Sequence, residues 1–224
     1  MAPGKKLKLV LFDMDGVIID SEPLWSEAER QLLTRRNLTY SVELKPLLMG
    51  LDSREAVRIL RRRYDLDEPV EELVDERNQL VRELIQKHGQ TIPHAVDLIR
   101  QARDAGFKTA LASSSPYSLV ELVVDKLKIG PLLDLVLSGD EVSRGKPAPD
   151  IYLAAAKTLG VVPECCLVIE DAPNGVRAAK AAGMRCVAIT TGASKAELAA
   201  ADRVVEDFRS LDLVSLWAEI HERS

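Results

Sequence analysis

The chain reads as an α/β protein, a doubly wound parallel sheet interrupted by an inserted all-helical subdomain. Three observations lead there. Five short apolar runs recur along the chain, and strands buried on both faces of a parallel sheet have this almost continuously apolar character. Each run leads toward an amphipathic segment, and such strand–helix alternation is the pattern of a parallel sheet with helices on both faces. The alternation breaks once, over residues 19–89, where helix signals dominate. That stretch is far longer than the roughly 2–6 residues usual between a strand and its helix.

The first run, Leu7 to Phe12, leads into Asp13-Met14-Asp15-Gly16. Within the insert, Glu22-Pro23 opens one helix, and Asp52-Ser53-Arg54-Glu55 resembles a capping box ahead of Ala56, Ile59 and Leu60. The basic group Arg58, Arg61, Arg62 and Arg63 reads as a solvated helix face. Residues 1–18 and 90–224 then make the core, with 19–89 a helical cap. Because the insert leaves just after the Asp pair, it should overhang the strand tips as a lid. Ala95, Leu98, Ile99 and Ala102 follow helical spacing, with Gly106 at the place of a C-cap and a second strand at Lys108 to Ala112. Leu119, Leu122, Val123 and Lys126, with Leu127 beside it, mark the next helix, and Leu133 to Leu137 the third strand. Cys166 to Ile169 and Cys186 to Ile189 complete the set, with Pro173 near a helix start and Gly183 at a helix end between them.

Composition narrows the function. Thirty Lys and Arg against 35 Asp and Glu give a net charge of −5, which argues against nucleic acid or an anionic membrane as main partner. No apolar run approaches the ~18 residues of a membrane span. Met1-Ala2-Pro3-Gly4-Lys5-Lys6 is basic but leads straight into the first strand, unlike a cleavable signal, so a cytoplasmic location is expected. Cys165, Cys166 and Cys186 lie in apolar runs without paired zinc-type spacing and are expected as buried, reduced thiols.

Open α/β sheets bind ligands at the carboxyl ends of their strands, so the residues at those ends form one edge. The first strand delivers Asp13 and Asp15; the second, Ser113-Ser114-Ser115; the fourth, Glu170-Asp171 followed by Ala172-Pro173-Asn174-Gly175. After the third comes Ser143-Arg144-Gly145-Lys146-Pro147, with Lys146 at a loop-to-helix junction. Each has a plainer reading: Asp-Gly is turn chemistry, the serines an ordinary helix start, Lys146 a loop lysine, Glu170-Asp171 a solvated turn. Together they offer hard oxygen ligands suited to Mg²⁺, hydroxyl and N–H donors for a phosphate, and a point charge for its oxygens. Phosphoryl transfer needs such a set, since its transition state spreads charge over three equatorial oxygens.

On Asp13-Met14-Asp15-Gly16-Val17, Ser113, Lys146-Pro147 and Glu170-Asp171, nearly the whole chain resembles the haloacid-dehalogenase superfamily, in its phosphatase and phosphomutase branch with a helical cap on a Rossmann-like core. The resemblance implies that Asp13 attacks phosphorus to form an aspartyl-phosphate and that Asp15 protonates the leaving alcohol, then activates water. It implies Ser113 and Lys146 as ligands of the transferring group, and Mg²⁺ held by Asp13, the Asp15 backbone carbonyl and Asp171, with Glu170 supporting through water. True dehalogenases lack an acid at the Asp15 position.

Asp20-Ser21-Glu22-Pro23-Leu24-Trp25 resembles hexitol and deoxyglucose phosphate phosphatases of this branch. The β-phosphoglucomutase pattern has a histidine where Trp25 stands and a lysine where Met49 precedes Gly50, and both departures weigh against a mutase. Arg54 matches a substrate-contacting arginine of some relatives, offset by one residue. Ser114, Ser115, Gly50, Arg54, Trp25 and Asn174 are therefore the expected substrate-binding residues, with Trp25 equally a packing residue between cap and core. The expected activity is a Mg²⁺-dependent phosphomonoesterase, a monomer by resemblance, acting on small phosphorylated sugars or polyols. A sugar phosphomutase and a non-catalytic sugar-phosphate sensor are the alternatives.

Overall fold

The computed structural model describes residues 8–209 and 211–222. Among them six parallel strands form one sheet in the order β3-β2-β1-β4-β5-β6. The strands are β1 (Leu9–Phe12), β2 (Lys108–Ala112), β3 (Leu135–Leu137), β4 (Cys166–Glu170), β5 (Arg185–Ile189) and β6 (Arg203–Val205). Phe12 of β1 is in register with Leu111 of β2 and Ile169 of β4. Asp13, the next residue, donates its N–H to the Ile169 carbonyl at 3.0 Å, and Ser113 donates to Leu137 at 3.1 Å. The first residues beyond these strands thus emerge side by side, where the strand order reverses around β1.

Period-two alternation divides the sheet between two cores. Val10, Phe12, Leu111, Leu167, Ile169 and Val187 face one cluster; Leu9, Leu11, Ala110, Cys166, Val168 and Cys186 face the other. Helices α5 (Ala95–Asp104), α6 (Tyr117–Leu127) and α9 (Leu213–Glu222) cover the first face. Helices α7 (Asp150–Thr158) and α8 (Pro173–Ala181) cover the second. With both faces sealed, truncating a buried residue such as Leu11 to alanine carries the usual cost of about 2–5 kcal/mol.

Between β1 and β2 lies the helical cap: α1 (Glu22–Thr34), α2 (Lys45–Leu48), α3 (Ser53–Tyr64) and α4 (Val70–His88). Helices α1 and α3 both pack on α4, and a small cluster of Leu44, Leu48, Ala56 and Leu60 joins α2 to α3. The two crossing connections are zipped together: Asp20 N–H donates to Gln90 and Ile92 N–H to Ile18, both at 2.9 Å.

Several expectations are corrected. Asp52 caps α3 by accepting the Glu55 N–H at 3.0 Å, but the capping box is only half made, since the Glu55 carboxylate turns to Arg58 and Arg62. Strand β3 starts at Leu135 because Gly130–Leu132 form a 3₁₀ turn that carries Leu133 out of the sheet. Cys165 ends another 3₁₀ turn instead of joining β4; all three cysteines are free, and Cys166 and Cys186 are buried. Strand β6 was not expected, being three residues long and partly exposed at the sheet edge. Leu7 and the basic N-terminal residues lie outside the described residues.

Candidate active site

The ends of β1 and β4 and the loop before α7 meet around one buried ammonium. Lys146 Nζ donates to Asp13 Oδ1 at 2.6 Å, to Glu170 Oε1 at 2.7 Å and to the Ala112 carbonyl at 3.3 Å. Its side chain is 2% exposed. Burial alone would lower this lysine's pKa, but the Asp13 and Glu170 charges hold it above its ordinary value. Glu170 is fixed from every side: the Tyr152 hydroxyl donates to Oε1 at 2.6 Å, and the Asp171 and Ala172 N–H groups donate to Oε2 at 2.9 and 3.1 Å. Gly175 lets α8 approach this carboxylate, for a Cβ there would overlap it.

Asp13, Glu170 and Asp171 each bring a carboxylate oxygen within 4.8 Å of the others, all buried. Three carboxylates against one ammonium leave two negative charges, the complement of a divalent cation. Asp171 Oδ2 is buried without a hydrogen-bond partner, an arrangement that costs free energy unless something binds there. Without a cation, burial pushes the Asp13 carboxyl up to about 8 against the pull of Lys146, with Glu170 and Asp15 adding to the rise. Burial likewise raises Asp171, helped by the Glu170 and Asp13 charges. These residues therefore fit a divalent metal such as Mg²⁺, whose charge reverses the local pKa logic. Gly16, at φ +72°, packs flat against Asp171, and any side chain would overlap that carboxylate.

Asp15 serves elsewhere. Its Oδ1 accepts the Ser21 hydroxyl at 2.6 Å and the Trp25 indole N–H at 2.9 Å. Its Oδ2 accepts the Ser115 hydroxyl at 2.8 Å and the Ser113 hydroxyl at 3.3 Å. The Ser113 oxygen in turn accepts the Ser115 N–H at 3.0 Å. The serines precede α6, which starts at Tyr117 behind a Pro116 cap, so they form a turn of their own and not the helix start.

Above this edge lies a narrow cleft between core and cap, with about 50 Å³ of free space. Its floor includes Asp13, Asp15, Lys146 and Asp171, and its roof is the cap, with Glu22, Trp25, Glu29, Lys45 and Arg77. Arg77 and Glu29 form a buried pair, with Nε and Nη2 donating to Glu29 Oε1 at 3.2 and 2.6 Å. The Arg77 guanidinium also lies 4.2 Å from the centre of the Trp25 ring. Burial pushes the Glu22 carboxyl up to about 7, opposed by Lys45 and reinforced by Asp15 and Glu29.

Of the expected substrate-binding residues, Trp25, Gly50, Ser114 and Ser115 line this cleft. Gly50 and Asn174 tie cap to core: the Ser114 hydroxyl donates to the Gly50 carbonyl at 3.4 Å, and the Asn174 amide to the Met49 carbonyl at 3.2 Å. Arg54 is not brought in; it is exposed in the outer cleft and paired with Glu71 at 3.1 Å. Its place in the first turn of α3 aims it along the outside of the cap. Sequence reasoning missed Ser21, Tyr152, Glu22, Glu29, Lys45 and Arg77. Two of these left a trace, because Glu29 interrupts the apolar face of α1 beside Ala28 and Leu32, and Arg77 that of α4 between Leu73 and Leu80.

Comparison with known proteins agrees with this geometry. Residues 7–183 match the model of the haloacid dehalogenase-like hydrolases. A phosphorylated carbohydrates phosphatase of Thermotoga maritima is 34% identical over 182 residues, covering 80% of this chain and 82% of the relative. Hexitol phosphatase B of Escherichia coli is 31% identical over 192 residues, 84% of this chain and 86% of the relative. The crystal structure of CbbY from Rhodobacter sphaeroides in complex with phosphate superposes with a TM-score of 0.85 at 28% identity, over 94% of this chain and 99% of that one. The strand-end cluster and the helical cap above it are those of a phosphatase acting on small phosphorylated compounds, and the chain belongs to the haloacid dehalogenase-like hydrolases.

Proposed function

We propose that the protein is a Mg²⁺-dependent phosphomonoesterase for small phosphorylated sugars or polyols, working through an aspartyl-phosphate on Asp13. The observation that carries the substrate class is the roof of the cleft. Glu22, Lys45, Ser26 and Ser53 set charged and hydroxyl groups opposite the reacting edge, beside the mutually bonded Glu29–Arg77 pair. Such a wall offers donors and acceptors to a hydroxyl-rich leaving group. The names of the two phosphatase relatives point the same way.

Mg²⁺ held by Asp13, the Asp15 carbonyl and Asp171, with Glu170 behind, would neutralise the carboxylates and the phosphate oxygens. Lys146 orients Asp13 through Oδ1, leaving the other carboxylate oxygen to attack phosphorus. As that bond forms and the ester P–O bond breaks, Asp15 gives its proton to the leaving oxygen. Asp15 then takes a proton from water, which attacks phosphorus and releases the Asp13 carboxylate and inorganic phosphate. Ser113 and Ser115 organise the turn that receives the phosphoryl oxygens. We read residues 19–89 as the cap that closes over this chemistry.

The test is a phosphatase screen with Mg²⁺ over phosphorylated metabolites, ranked by kcat/KM. Sugar and polyol monophosphates should lead. A leading substrate from another class, such as a nucleotide or a phosphopeptide, would overturn the assignment.

A further inference from the structure

Asp15 is held by two different bodies. Its Oδ2 is bonded from the core, by Ser113 and Ser115. Its Oδ1 is bonded from the start of the cap, by Ser21 and by Trp25 in the first turn of α1. A carboxylate with free rotation samples many directions, whereas proton transfer needs a donor within hydrogen-bond reach of one oxygen. We propose that Trp25 is a positioning residue for Asp15: its indole N–H, with the Ser21 hydroxyl, fixes the direction from which the proton reaches the leaving oxygen. This rests on the reading of Asp15 as general acid.

The ring is itself held in place. The Arg77 guanidinium sits over its face at 4.2 Å, a cation–π contact. Arg77 cannot swing away, because it is 6% exposed and bonded twice to Glu29, itself 3% exposed. Packing between cap and core would need only the ring's apolar body, and a sugar platform only its face. Neither accounts for an N–H aimed at 2.9 Å onto the acid's oxygen. The line Glu29, Arg77, Trp25, Asp15 therefore runs from the roof of the cleft to the proton donor. Through it, the cap governs the geometry of the acid.

The test compares leaving groups in Trp25→Phe, which keeps a ring beneath Arg77 and removes the N–H. An alkyl phosphate such as glycerol phosphate expels a poor leaving group that needs its proton. An aryl phosphate such as p-nitrophenyl phosphate expels a stable anion that does not. kcat/KM reports steps up to leaving-group departure, so the second half-reaction does not blur the comparison. Trp25→Phe should lower kcat/KM about tenfold or more for the alkyl ester, a part of the roughly 10²–10⁴-fold that a general acid contributes, and at most about threefold for the aryl ester. Ser21→Ala, which leaves the ring untouched, should show the same asymmetry. Equal losses on both esters in either variant would overturn the proposal and leave Trp25 a packing residue. Wild-type protein silent on both esters would instead refute the phosphatase reading itself.

Discussion

The two walls of the cleft are built by different rules. The carboxylates of the core wall lie at or within three residues of a strand end, so the backbone of the sheet places them: Asp13 and Asp15 beyond β1, Glu170 and Asp171 at the end of β4, with Lys146 brought to them by the loop before α7. The cap wall is made of long side chains on helices, and its central pair, Glu29 and Arg77, lies 48 residues apart in the chain. A sheet edge fixes charge to within a hydrogen bond with no help from the side chain's length. A helix face fixes it only if another buried side chain answers. The first arrangement suits chemistry that must not change, and the second suits a surface that can be re-cut for another leaving group.

The largest expected effect tests the core wall. Asp13→Asn replaces the carboxylate proposed to attack phosphorus by a poor nucleophile of the same shape, and kcat should fall on the order of 10³-fold or more. Residual activity above a few per cent would remove Asp13 from its role. The cap wall should break in stability before chemistry. Glu29→Ala leaves Arg77 buried and unpaired, a loss of about 3–5 kcal/mol in urea unfolding. Replacing both residues with leucine should cost less than the single change, because no charge is left without a partner.

A smaller effect separates metal from fold. Gly16→Ala forces a side chain against Asp171 at a backbone conformation that L residues avoid. Mg²⁺ affinity measured by calorimetry should weaken about 10–100-fold, the usual range for disturbing a ligand's support. Unchanged affinity would detach Asp171 from the metal site. The smallest is a pH effect in the cap. The folded Glu22 carboxyl sits at about 7, above its ordinary value of 4.5, so the native state binds the extra proton. Its stability contribution is complete below about pH 4.5 and lost as pH rises through 7. Glu22→Gln should therefore stabilise the protein by about 1–3 kcal/mol at pH 8 relative to wild type, and hardly at all at pH 4. The same gain at both pH values would remove the titration argument.

The core wall was legible in the sequence for the same reason that it is rigid. Apolar runs announced strands, strand ends shared one edge, and Asp13, Lys146, Glu170 and Asp171 converged as their positions required. The cap wall was not. Periodicity located its helices, but a buried Glu29 and a buried Arg77 are intelligible only once α1 and α4 lie side by side. Arg54 shows the converse: an arginine beside a cap loop looked like a substrate contact, and one helical turn directed it to Glu71 and solvent. Asp15 lay between the two regimes. Its place at a strand end was readable, but its cap-borne partners Ser21 and Trp25 depend on how the first cap helix leaves the sheet.

All of this turns on Asp13 carrying the phosphoryl group. The direct measurement is to quench the Mg²⁺-loaded enzyme with acid during turnover, reduce acyl phosphates with borohydride and map the modified residue by mass spectrometry. The mechanism places homoserine at position 13 in a fraction that rises with substrate saturation. A steady release of phosphate with position 13 unmodified, or with the adduct on another residue, would contradict it.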